Sequence, residues 1–279
     1  MGLIFCTSDL DCPQIIDDVF EVVCQKNTAS KSTKNAPQFM MNKKCPEIIF
    51  KLCDQFKLAL EARYFAVELF NDFATAYIQQ YGKRKDRMLA FCSNSALYIL
   101  VCIQISSKMS SHYKAITQRS VINHYNIASG EGRISRADVM ATELEILQIV
   151  NYDLNFLLPN DIIDILLFYV QDYLDQRNPR VLENCEKLKE TCASILEMVY
   201  LRHDRIMSMY SSRSDGKHTD NLLLSIAVIC VAIFIVDDDL SEVVAVYLSE
   251  KCSTEHGKVL KLSVAIIENV YKDEQVSKR

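Results

Sequence analysis

The chain has little of what builds β structure. Six glycines and five prolines in 279 residues are too few turn-makers for a many-stranded sheet, and they suit helices joined by short loops. Positive charge is not in excess: the formal net charge is −5, with no basic stripe to offset it, so direct binding to a nucleic-acid backbone is not expected. The eleven cysteines contain no CxxC pair. They are odd in number, scattered and mostly set in apolar helical patterns, which is the usage of reduced core thiols in the cytosol or nucleus. No two of the five histidines stand at i,i+4, and none has cysteines at zinc-like spacing. No glycine-rich phosphate loop, nucleophile elbow or kinase signature occurs, so neither catalysis nor a cofactor is expected. Asp237, Asp238 and Asp239 come nearest to a metal cluster. Consecutive acids at a helix end are expected to point in different directions, and their expected role is to start a helix near Ser241. Every proline follows Cys, Ala, Leu or Asn, so there is no Ser-Pro or Thr-Pro site for a proline-directed kinase.

Long apolar runs are also missing. Leu97–Ile105 and Leu222–Val236 both fall short of the ~18 residues that a membrane span requires, and acids at Asp220 and Asp237–Asp239 close the second. Both are expected to be core helices, with no membrane partner. The N-terminus, MGLIFCTSDLD, has no basic region and acquires acid early, unlike a secretory signal. Cys6 departs from the myristoylation pattern.

What is present is helical periodicity. Pro13–Cys24 reads as one short amphipathic helix, with Ile15, Ile16, Val19, Phe20 and Val23 on its apolar side and Pro13 suited to its first turn. Lys26–Gln38 is polar and small and reads as a linker. Pro46–Leu58 and Glu61–Ile78 carry apolar residues at three- and four-residue spacing. Tyr81–Arg87, YGKRKDR, reads as a Gly-containing basic loop, either a solvated connection or a nuclear-import patch. The segment Ala96–Tyr113 follows, apolar all round from Leu97 to Ile105 and then polar at Ser106, Ser107, Lys108, Ser110 and Ser111. Such a helix is packed on every side at one end and brings Lys108 to the surface at the other.

Thr117–Tyr125 is a short helix and Ala128–Arg133 a turn. Ser135 followed by Asp138 resembles a capping box opening Ala137–Asn151, whose Met140, Leu144, Leu147, Ile149 and Val150 are expected to be buried. The second half reads as five more helices, at Asp161–Leu174, Val181–Leu201, Asp220–Val236, Ser241–Cys252 and His256–Tyr271, the third again the most apolar. His203 and Asp204, with Arg202 and Arg205, read as a polar helix end. Two successive groups of five, each around one wholly apolar helix, suggest an architectural duplication. The expected fold is all-α: residues 1–38 an N-terminal helix and linker, 39–158 and 159–272 two five-helix modules, and 273–279 a tail.

VCIQISSKMSS, ending on Lys108, resembles the third helix of a cyclin box. TELEILQIVNYDLNFLLP, with Glu143 and then Tyr152, Asp153 and Leu154, resembles the family's fifth helix and its exit, and FKLALEARYFAVELFNDF resembles the second. The two modules are thus expected to be cyclin boxes, the second divergent. PEIIFKLCDQFKLALEARYFAVELF, CIQISSKMSSHYKAIT, ATELEILQIVNYDLNFLLPNDI and MVYLRHDRI are most similar to a divergent meiotic group, the cyclin N-terminal domain-containing proteins. That resemblance implies a nuclear, non-enzymatic regulator of crossover designation and maturation on meiotic chromosomes. It would act with a cyclin-dependent kinase or with crossover-promoting recombination factors.

In the family, the lysine and the glutamate lie together on the kinase-facing surface. A lysine offers three donors to carbonyls, while a carboxylate orients it and accepts from an amide. The resemblance therefore marks Lys108 and Glu143 as kinase-binding residues; the other role open to them is a salt bridge fastening two helices of one box. His112 lies close to Lys108 in sequence. The family's substrate-docking patch aligns with Met41, Asn42, Cys45 and Ile48, and the chain has no tryptophan, so that patch departs from the pattern. Asn71 stands where the second helix usually has an acid, and Ser110 and Ser111 replace an acidic pair. These losses leave open a scaffold that keeps the fold without the kinase and recruits recombination or ubiquitin-ligase factors.

Overall fold

A computed structural model describes residues 13–33, 44–110, 115–129, 133–175, 185–211 and 220–277. Among the described residues there are twelve helices and no strand: α1 (Pro13–Thr33), α2 (Lys44–Gln55), α3 (Leu60–Tyr81), α4 (Lys85–Ser110), α5 (Gln118–Ser129), α6 (Arg136–Ile149), α7 (Pro159–Asp175), α8 (Cys185–Leu201), α9 (His203–Ser211), α10 (Asn221–Val236), α11 (Asp238–Lys251) and α12 (His256–Ser277). The all-α expectation holds. The helices form two compact units, α2–α6 in one and α1 with α7–α12 in the other.

In the first unit α4 is the central element. α2, α3, α5 and α6 all pack against it, and every residue from Leu97 to Ser107 is buried. That explains why this stretch has no polar face: each orientation meets another helix. At 26 residues α4 is far longer than its apolar run. It has the length and composition of a membrane span, which the nine-residue core Leu97–Ile105 did not suggest, but its apolar half is buried by its own unit. The serines correct another expectation. Ser106 and Ser107 are completely buried, so the C-terminal end of the helix reaches the surface first at Lys108. Ser106 donates to the backbone carbonyl of Ala62 on α3. Ser107 donates to the Gln104 carbonyl and accepts from the Ile116 amide at 2.9 Å, tying the segment before α5 to α4.

In the second unit α10 plays the same part. α7, α8, α11 and α12 surround it, and Leu222 to Ile233 are buried without a break, each large side chain being worth ~1.5–3 kcal/mol against exposure. Asp220 caps α10 by accepting from the Leu223 amide at 2.8 Å. The repeated four-around-one packing is the duplication that the sequence suggests.

Among its described residues the second half nevertheless holds six helices, one more than the five expected. Residues 203–211 form α9, with Ile206 and Tyr210 buried, where the polar sequence read as a helix end. α11 begins at Asp238, so Asp238 and Asp239 lie in its first turn, where carboxylates suit the positive helix end. The oxygens of Asp237, Asp238 and Asp239 come within 4.8 Å of one another, so they do not diverge as expected.

α1 is longer than predicted, running through Lys26–Thr33, a stretch that reads as linker. It packs on α7 and α10. Asp17 accepts from the Tyr169 hydroxyl at 2.6 Å, and Lys251 lies 3.7 Å from the centroid of that ring. Asn27, buried, donates to Asp220. This polar contact explains why the sequence there lacks an apolar signal.

Candidate functional site

α4 and α6 pack together and carry the two residues singled out by resemblance. Lys108 is in the last turn of α4. Its Nζ lies 2.6 Å from Oε1 of Glu143 on α6, with the lysine side chain 40% and the glutamate 20% exposed. Glu143 takes one of the three ammonium protons. Among the described residues Glu143 is the one partner found for Lys108, and the lysine side chain remains open to solvent. An ion pair at this exposure contributes ~0–1 kcal/mol to stability, too little to account for the fold.

α6 is positioned by its own first turn. Ser135 accepts from the Asp138 amide while Asp138 accepts from the Ser135 amide, a reciprocal capping box, as expected. The Ser135 amide and hydroxyl both donate to the Asp138 carboxylate, at 2.7 and 2.8 Å, and hold that carboxyl below its usual value. The face that α6 buries corrects the sequence reading: Val139, Thr142 and Ile146 go inward, whereas Met140 and Leu144 are 53% and 48% exposed. Leu147, Ile149 and Val150 are only half-buried. The helix has two apolar stripes, and one core can take only one of them. Met140, Glu143, Leu144 and Leu147 share the other face at i, i+3, i+4 and i+7. Met109, next to Lys108, is also exposed. The excess of apolar positions on α6 is the signal that could have located this surface.

The exit from α6 is bent sharply. Asn151 and Tyr152 have φ of 53° and 57°, the left-handed region that a bulky residue rarely enters. The Tyr152 amide donates back to Leu147 at 2.7 Å, closing the helix end, and its ring is left exposed.

The docking-patch candidates are less organised. Cys45 and Ile48 stand one turn apart on α2, Cys45 half-buried and Ile48 exposed. Burial pushes the Cys45 thiol up. Met41, Asn42, Ser111 and His112 lie outside the described residues.

Residues 15–155 match the family described as Cyclin, N-terminal domain. The chain belongs to the cyclin family. The mouse Cyclin N-terminal domain-containing protein 1 is 24% identical to this cyclin-family chain over 253 residues, covering 79% of the chain and 72% of the mouse protein. The human protein of the same name is 25% identical over 251 residues, covering 79% and 73%. A chain from the "Structure of the CAK complex form Chaetomium thermophilum bound to ATP-gamma-S" superposes with a TM-score of 0.49 at 12% identity, covering 92% of this chain and 75% of that one.

Proposed function

We propose that this cyclin-family protein is a non-catalytic regulatory subunit that binds a cyclin-dependent kinase through the α4–α6 face and serves crossover designation and maturation on meiotic chromosomes in the nucleus. The observation that carries the kinase half is the Lys108–Glu143 pair, at 2.6 Å with the lysine exposed and the glutamate half-buried, beside the outward apolar stripe of Met140 and Leu144. A solvent-accessible cation, a carboxylate that orients it and an exposed apolar helix face are what a partner helix end requires: carbonyls for the lysine, an amide for the glutamate and apolar side chains for the stripe. The meiotic half rests on resemblance to the cyclin N-terminal domain-containing proteins.

Reconstitution tests it. Added to purified cyclin-dependent kinase subunits, the chain should raise phosphorylation of a generic substrate. A chain that binds recombination or ubiquitin-ligase factors while leaving every kinase inactive would establish the scaffold reading instead. The departures at Asn71 and Ser110 favour that second reading, because they remove charges that would otherwise anchor a kinase.

A further inference from the structure

The turn between α3 and α4 is not a simple connection. α4 starts at Lys85, about three turns earlier than its apolar run, and only Phe91 is buried among its residues before Leu97. α3 and this part of α4 form a hairpin held by aromatic rings. Tyr77 packs against Tyr81 and Phe91, each at 5.0 Å between centroids, and Phe91 stacks on Tyr98 at 5.5 Å. The Tyr77 hydroxyl donates to the Arg87 carbonyl, and the Tyr98 hydroxyl to Glu145 on α6 at 3.0 Å. At the tip, a Cβ on Gly82 would come within 2.5 Å of the Ile78 carbonyl oxygen, so any other residue there forces the turn to shift.

This braced tip carries Lys83, Arg84, Lys85 and Arg87, all exposed, in a chain of formal charge −5. Arg84 meets Asp86 at 3.2 Å, and the Arg87 guanidinium lies over the Tyr81 ring at 5.4 Å. Lys83 and Lys85 have no carboxylate partner among the described residues. Lys85 and Arg87 also lie at the positive end of α4, where acids are the favoured residues. Local helix stability therefore does not explain them. Leu89, 69% exposed, stands one turn beyond Lys85 on the same face.

We propose that the α3–α4 hairpin tip is a docking surface for an acidic segment of a partner protein, with Lys83, Arg84, Lys85 and Arg87 reading carboxylates and Leu89 taking an apolar neighbour. Charge complementarity selects the occupant. The cations are four and lie within residues 83–87, fewer than the roughly six to ten phosphate contacts of a typical nucleic-acid complex. Because the ring ladder fixes the tip beforehand, little ordering is needed on binding.

The test uses the full chain and a fluorescein-labelled octaglutamate peptide at low salt, read by anisotropy. Lys83→Glu with Lys85→Glu should weaken binding about tenfold, by removing attraction and adding repulsion. Lys187→Glu with Lys261→Glu, the same charge change at exposed sites in the other unit, should leave it within about twofold. Lys83→Gln alone should weaken it to a lesser degree, without introducing repulsion. Equal loss in both double variants, or no binding by the unaltered chain, would overturn the proposal. A labelled 20-nucleotide single strand that bound more tightly than the peptide and was released by the tip variant would overturn it in favour of nucleic acid.

Discussion

The hydroxyl of Ser106 on α4 donates to the backbone carbonyl of Ala62 on α3, deep in the core of the first unit. Polarity therefore enters α4 two residues before the helix reaches solvent. Small hydroxyl residues let α3 and α4 approach closely, and each hydroxyl finds a backbone partner, as buried polar groups must.

Replacing Ser106 with valine should destabilise the chain by about 1–3 kcal/mol, through overpacking and loss of the hydrogen bond. Ser106→Ala should cost about 1 kcal/mol, and Ser110→Ala, at the helix end, less than about 0.5 kcal/mol. Urea denaturation of the three variants checks the order. A Ser106→Val variant as stable as the unaltered chain would show that the hydroxyl is not confined.

Gly82→Ala should cost about 1–3 kcal/mol, because the added methyl meets the Ile78 carbonyl oxygen, a backbone atom that can move only with the turn. Hydrogen exchange should show faster opening at the hairpin tip than in Leu97–Ser107. Uniform acceleration across α4 would mean that the tip is not an independent part.

The capping box gives a signed pH dependence. The folded Asp138 carboxyl is held below its ordinary 3.8 by the Ser135 amide and hydroxyl. Its contribution is therefore complete above the ordinary carboxylate range and is lost as pH falls through the lowered value. Thermal melts of Asp138→Asn and the unaltered chain should differ near neutrality and converge under acid. A difference that grew toward low pH would contradict the capping role.

Much of the fold was legible because its signals are local. The apolar stretches of α4 and α10 have no exposed face, and Ser135 with Asp138 announces α6. α9 was hidden because only Ile206 and Tyr210 are buried along it, too few for a visible period. The C-terminal part of α1 was hidden because Asn27 is held by Asp220 through a side-chain hydrogen bond, which leaves no apolar pattern.

The candidate site was legible only by resemblance, since a lysine and a glutamate 35 residues apart carry no spacing signal. Its apolar surroundings were misread. Met140 and Leu144 fit a core stripe in one dimension, and only packing shows that Val139, Thr142 and Ile146 fill that place.

The most direct test of the kinase-binding face exchanges the pair, Lys108→Glu with Glu143→Lys. The internal ion pair is kept and the carboxylate moves to the negative end of α4, so stability should stay within about 1 kcal/mol. A partner that reads the lysine as donor and the glutamate as acceptor then meets the opposite arrangement. The exchanged chain should melt close to the unaltered one and no longer co-purify with a cyclin-dependent kinase. Undiminished co-purification would contradict it and leave the pair a fastening between α4 and α6.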